Sequence, residues 1–268
     1  MCLDAFLAFL AGSGLRRPNY AGREIPSAAG LILLLFLPVT LALGILAGVP
    51  ALRGMLSLVF GLAVLGFGLA GLVDDCLGAS REKGFRGHFA ALLQGRLTSG
   101  AIKALFGGTV ALFVGLALPL LDARAFGAWY QILLNTIILA SAANLINLLD
   151  LRPGRAGKVF YLGLIVAAAL ACRIERFFGP VALAAVMFVP VFRRDLKARL
   201  MLGDTGANLI GAVLGMAMVF WLTPHAKIVA AAILLGLQII SERFSFSGII
   251  ERFAALRALD RWGRGSEE

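Results

Sequence analysis

Apolar residues run along this chain in continuous blocks, at 28–49, 54–73, 101–121, 128–149, 159–172, 179–192, 207–223 and 228–240, with short polar breaks between them. Several approach the ~20 residues that carry a helix across a bilayer, and the shorter ones need their flanks to do so. A transmembrane β-strand alternates polar and apolar side chains, and none of these blocks does. Residues 1–12 are also apolar but lack a basic start and a small-residue cleavage site, so they read as a short or truncated first helix. The pattern predicts an all-α fold: a polytopic transmembrane helix bundle of about eight full spans plus a short N-terminal helix, in one membrane-embedded domain over 1–268.

Composition agrees, with 60% hydrophobic and 15% charged residues and a mean hydropathy of +0.91, outside the usual range of soluble domains. A net charge of +10 raises nucleic acid as a partner, but the basic residues are spread over short loops instead of one face, so none is expected. The loops at 16–23, 81–96, 152–158 and 193–199 and the tail 243–264 hold most of the Arg and Lys, whereas the alternate loops hold Arg53, Arg124, Arg173, Arg176 and Lys227. By the positive-inside rule the first set, with the C-terminus, faces the cytoplasm from an inner (plasma) membrane, and Arg124 and Lys227 face out. Cys2, Cys76 and Cys172 have neither paired nor ligand-like spacing and are expected to be inert.

The stretch 244–264 mixes Phe246, Ile249, Ile250, Phe253, Leu256 and Leu259 with arginines at helical spacing, which predicts an amphipathic segment on the anionic cytoplasmic leaflet.

Fifteen carboxylates serve the whole chain, so their positions are informative. Asp74 and Asp75 close the block 54–73, Asp150 closes 128–149, and Asp204 precedes 207–223, which puts all four at the cytoplasmic face. Adjacent aspartates at a membrane boundary repel and are costly to desolvate unless a cation neutralises them. Mg²⁺ suits them, since it binds one or two carboxylates and completes its shell with water and phosphate; Asp204, Asp74 and Asp75 are the expected metal ligands. The turn Gly203-Asp204-Thr205-Gly206 opens a helix, whose free N–H groups favour an anion. Asn144, Asn147 and Asp150 fall at i, i+3, i+6 along one helical face, although interhelical hydrogen bonding also accounts for Asn144. Arg152, Arg155 and Lys158 follow directly and suit a polyanionic phosphate. Lys103, just inside the next helix, can reach a phosphate, and His88 in a basic loop can touch substrate.

Some signals carry less. Gly66-Phe67-Gly68-Leu69-Ala70-Gly71 matches a dinucleotide glycine pattern but lies inside an apolar block with no preceding strand, so close helix packing explains it better. His225 beside Pro224 has no ligand set near it. Asp195, between Arg194 and Lys197, reads as an ordinary surface carboxylate. Gly211 and Gly215 permit close helix contact, within the chain or in a homodimer.

Gly71-Leu72-Val73-Asp74-Asp75-Cys76-Leu77-Gly78, Asn144-Leu145-Ile146-Asn147-Leu148-Leu149-Asp150 and Met201-Leu202-Gly203-Asp204-Thr205-Gly206-Ala207, in this order, resemble the polyprenyl-phosphate N-acetylhexosamine-1-phosphate transferases. Arg23-Glu24-Ile25-Pro26 is similar to that family's first cytoplasmic loop. The resemblance implies Mg²⁺-dependent transfer of a sugar 1-phosphate from a UDP-N-acetylhexosamine, of the N-acetylglucosamine or N-acetylmuramoyl-pentapeptide type, to a polyprenyl phosphate, releasing UMP for cell-wall or surface-glycan assembly. It implies catalytic roles for Asp74, Asp75 and Asp204, and nucleotide or sugar binding by Asn144, Asn147 and Asp150. The family's Asp-Gly-x-Asp-Gly is here Asp150-Leu151-Arg152-Pro153-Gly154, and the histidine-rich late loop of the muropeptide enzymes is missing. These departures keep open an alternative, a diverged non-enzymatic paralogue that binds lipid-linked or nucleotide ligands. A transporter reading lacks mid-membrane polar residues and repeated halves.

Overall fold

The computed structural model describes residues 2–77, 87, 91, 93–96, 98–121, 129–172 and 178–264. Every apolar block in the sequence is a helix. The order is α1 (Cys2–Gly12), strands β1 (Arg16–Pro18) and β2 (Glu24–Pro26), α2 (Leu31–Leu46), α3 (Met55–Leu77), α4 (Ser99–Leu121), α5 (Trp129–Leu149), α6 (Arg155–Ala169), α7 (Phe178–Leu196), α8 (Gly203–Trp221), α9 (Pro224–Arg243), α10 (Phe246–Arg252) and α11 (Ala254–Arg261). The β1–β2 hairpin, with Arg17 opposite Ile25, was not anticipated from the sequence.

Among the described residues, five helices are long and apolar enough to cross a membrane: α3, α4, α5, α8 and α9. The other helices among the eight predicted blocks are shorter or end in charge. α2 has 16 residues and α6 has 15, which at 1.5 Å per residue reach roughly 22–24 Å, short of a ~30 Å hydrocarbon layer. α7 has 19 residues but ends in Arg193, Arg194 and Asp195.

α8 is the axis of the bundle. Nearly all its side chains are buried, and it packs on α3 and α5 with α2, α6 and α7 around it. Glycines let the backbones close in. A Cβ on Gly211 would stand 2.5 Å from the Ala143 Cα and one on Gly215 3.0 Å from the Leu139 Cα, so both glycines serve a contact with α5 inside this chain. At the start of α8 the fit is tighter: a Cβ on Gly71 of α3 would meet the Asp204 carbonyl at 2.2 Å, and one on Gly30 the Gly206 Cα at 2.1 Å. Gly66 and Gly68 likewise face Val110 and Leu34, so this glycine run is a packing surface. The stretch before α8 is tied to the N-terminal region by Met201 N–H to Pro26 O (2.8 Å), Ala29 N–H to Met201 O (3.1 Å) and Gly30 N–H to Leu202 O (2.9 Å).

Lys227 differs from expectation. It is 8% exposed, and its Nζ donates to Asn135 Oδ1 at 3.0 Å across the α5–α9 contact. An ammonium one turn into an apolar helix needs a polar partner once its stem is packed, and α5 supplies an amide. In the same turn His225 is exposed, as is Pro224. Arg86 and Arg124 lie outside the described residues.

Because the Gly71 Cβ would strike backbone, Gly71→Ala is expected to destabilise the protein by ~1–3 kcal/mol or more. Gly236→Ala, with nothing within 4 Å, should be neutral or slightly stabilising; thermal unfolding in detergent separates the two.

Candidate active site

The free N–H groups that open α8 point at the end of α3. Asp75 Oδ1 accepts from the Asp204 N–H (3.1 Å), and Asp75 Oδ2 accepts from the Thr205 N–H (2.9 Å) and the Thr205 hydroxyl (2.6 Å). This is a helix cap supplied from another helix. It holds Asp204 in the first turn of α8, where the helix dipole favours a carboxylate. Asn208 Nδ2 adds a bond to the Asp204 carbonyl at 2.6 Å.

Asp74, one residue earlier, faces the other way. Lys103 of α4 lies 3.2 Å from Asp74 Oδ2 and 3.2 Å from Asp204 Oδ2, so a single ammonium bridges the two carboxylates. The Asn147 amide of α5 sits against both partners: with its nitrogen toward Asp204 Oδ1 (2.5 Å) and its oxygen toward Lys103 Nζ (2.6 Å), every group is satisfied. Four helices thus deliver Asp74, Lys103, Asn147 and Asp204 to one point.

The expected three-carboxylate metal set is not assembled. Among the described residues no three His, Cys, Asp or Glu side chains converge as a ligand group, and the oxygens of Asp75 are engaged by the α8 backbone. Asp74 and Asp204 remain facing one small cationic position that Lys103 fills. Two carboxylates there suit Mg²⁺, which takes the rest of its shell from water and substrate phosphate.

Asp150 lies behind this cluster. Burial, then the charges of Asp195, Asp204 and Asp75, hold its carboxyl well above the usual range, against a hydrogen bond from the Gly203 backbone. Asn144 has turned away, and its amide donates to Gln238 of α9, the interhelical alternative. Arg152 stacks over the Tyr20 ring of the hairpin, 5.1 Å from the centroid, and lies 3.8 Å from Glu251. Arg155 has no acidic residue in its own loop to pair with, but its side chain is 4% exposed and its guanidinium forks onto Asp260 of the tail, Nε to Oδ1 at 2.9 Å and Nη2 to Oδ2 at 3.0 Å. A charge so enclosed and so paired is not on offer to a phosphate. His88 lies outside the described residues.

Asp195 is not the surface carboxylate that its neighbours suggest. It is 3% exposed and accepts from the Gly154 N–H at 3.0 Å, steadying the left-handed turn (φ +72°) that starts α6. The signal was present in the sequence: Val181, Ala184, Phe188 and Val191 form a 3–4 spaced buried stripe that continues onto residue 195. Its arginine neighbours disguised it as a surface residue.

This chain belongs to glycosyl transferase family 4, whose family model matches residues 54–222, the stretch that holds every member of the cluster. The phospho-N-acetylmuramoyl-pentapeptide-transferase of Thermotoga neapolitana is 31% identical over 205 residues, covering 73% of this chain and 65% of that protein's length. The protein of the same name in Deinococcus radiodurans is 28% identical over 239 residues, 82% of this chain and 71% of its own. A third, from Kosmotoga olearia, is 24% identical over 189 residues, 70% of this chain and 58% of its own. The chain thus spans a little under two thirds of the first relative. With that family and five apolar helices, it is a membrane protein.

Asp75→Ala removes three accepted hydrogen bonds and should cost ~1–2 kcal/mol of stability, while Thr205→Val should cost less; both are read by thermal unfolding. A pH series tests Asp195. Burial pushes its carboxyl up to about 7, from 3.8 in an open chain, against the Gly154 N–H and the charges of Arg264 and Lys158. The folded form therefore holds the proton more tightly, and its contribution to stability, full at pH below 3.8, is lost as pH rises toward about 7. Asp195→Asn should lack this fall, gaining on wild type as pH rises, whereas Asp195→Ala, which orphans the Gly154 N–H, should be destabilised throughout.

Proposed function

We propose that this chain transfers a sugar 1-phosphate from a UDP-N-acetylhexosamine to a polyprenyl phosphate at the cytoplasmic face of the inner membrane, releasing UMP. The observation that carries the reading is the convergence of Asp74, Lys103, Asn147 and Asp204 at one end of four helices. A binding protein without turnover has no need for two carboxylates held against one ammonium.

The transfer joins two anions. An oxygen of the lipid phosphate attacks the sugar-proximal phosphorus, the bridging P–O bond of the diphosphate breaks, and its electrons leave with UMP. The protein has chiefly to position both partners and screen their repulsion. Lys103 would serve a phosphate oxygen if a divalent cation took its position between the carboxylates. Asp204 and Asp74 would hold Mg²⁺, which supplies charge neutralisation for the diphosphate and the departing phosphate. Asp75 keeps Asp204 in register by capping α8. Asn147 orients Lys103 and Asp204 together. The names of the relatives favour an N-acetylmuramoyl-pentapeptide sugar over N-acetylglucosamine.

Purified protein, undecaprenyl phosphate and Mg²⁺ are mixed with UDP-N-acetylmuramoyl-pentapeptide or UDP-N-acetylglucosamine, and UMP is measured. One of the two should yield UMP, and chelating the metal should stop it. Asp204→Asn keeps shape and removes charge, so turnover should fall by roughly three orders of magnitude while the melting temperature holds. Near-normal turnover by that variant would remove Asp204 from the mechanism.

A further inference from the structure

The chain leaves α9 at Arg243 and folds into α10 and α11, which lie beyond the family-matched residues and take no part in the transfer above. Their inner side sets Phe246 against the core and carries a polar network. Asp260 receives the Arg155 fork and lies 2.7 Å from Arg264. Lys158 Nζ donates to the carbonyls of Asp260 (2.6 Å) and Leu259 (3.1 Å), a cation on the carbonyl end of α11. Arg155 Nη1 reaches Ser247 Oγ of α10 at 2.8 Å, and Arg264 Nε reaches the Pro153 carbonyl at 3.0 Å. Apart from the Asp260–Arg264 pair, these bonds end on residues 153–158, the segment that leads from Asp150 into α6.

The outer side is different. Phe253, Leu256, Leu259 and Trp262 are 60%, 43%, 51% and 74% exposed. Arg252, Arg257 and Arg261 are exposed beside them. Apolar side chains rimmed by arginine on a short helix suit the boundary between lipid head groups and acyl chains. Two observations say what covers them. α9 is long and apolar enough to cross a membrane and ends at Arg243, so the tail begins where the chain leaves hydrocarbon. Between 246 and 264 the acidic residues, Glu251 and Asp260, are outnumbered by Arg252, Arg257, Arg261 and Arg264, and Asp260 is neutralised inward, which leaves the outer side of α10 and α11 cationic, with Glu267 and Glu268 following beyond them in the sequence.

We propose that α10 and α11 form a strap seated on the anionic lipid surface of the membrane the chain spans, and that the strap holds residues 153–158 through Asp260 and Arg155. Anionic phospholipid is then a ligand of the folded strap, and its binding steadies the segment beside Asp150.

The full chain is placed in nanodiscs of phosphatidylcholine alone or mixed with phosphatidylglycerol, and backbone hydrogen exchange is followed at 246–261 and 153–158. Both segments should exchange roughly tenfold more slowly with phosphatidylglycerol present. Arg257→Gln with Arg261→Gln, both at exposed positions, should abolish that difference in both segments. Asp260→Asn should keep it at 246–261 and lose it at 153–158. Brominated phosphatidylglycerol should quench a fluorescence component that Trp262→Phe removes. Equal exchange in the two bilayers would overturn the proposal. So would protection that grows with protein concentration in detergent without lipid, which assigns the face to a second copy of the chain. An Asp260→Asn protein whose 153–158 segment still responds to phosphatidylglycerol would overturn the strap.

Discussion

The N–H groups at the start of α8 have no partners within their own helix, and inside a packed membrane bundle water cannot serve them all. The Asp75 carboxylate supplies acceptors at 3.1 and 2.9 Å and takes the Thr205 hydroxyl as well. That demand sets where α3 must end relative to α8, and Gly71 and Gly30 permit the approach by presenting no Cβ to the α8 backbone. Once α8 is seated, Asp204 faces Asp74. Without the cap the two motifs would share a membrane face and no more.

Bringing Asp74 to Asp204 creates an electrostatic difficulty that the rest of the cluster answers. Two carboxylates in a poorly hydrated cleft repel, and each loses hydration. Lys103 offsets both at 3.2 Å, and Asn147 completes the network by donating to one charge and accepting from the other. An ammonium fills the position between the two carboxylates.

The loop after Asp150 departs from the family's acidic pattern, and the structure shows how the altered loop is held. Gly154 takes a left-handed turn whose N–H is accepted by Asp195, from α7. Arg155 is buried and forked by Asp260, from the tail. Carboxylates distant in sequence thus stabilise a segment that has none of its own past Asp150. Arg152, by contrast, is partly exposed, stacked on Tyr20 and near Glu251.

The helices, the carboxylate motifs and the family were legible in the chain because each rests on local chemistry: blocks of apolar residues too long for anything but helix, aspartates at block ends, and three motifs in a fixed order. The division of labour between Asp74 and Asp75 was not. Adjacent residues on a helix point about 100° apart, and which one meets the cation and which the backbone depends on the crossing of α3 and α8. Asp195, Arg155 and Lys227 were misjudged for the same reason. Each is a charged residue near the end of a helix, yet each is buried against a segment far along the chain, with Gly154, Asp260 and Asn135 as partners. The hairpin at 16–26 and the lengths of α2 and α6 likewise depend on packing against distant segments. Hydrophobic periodicity reports how much of a residue's helix is buried, whereas the partner of a buried polar group is a long-range pairing that no local pattern encodes.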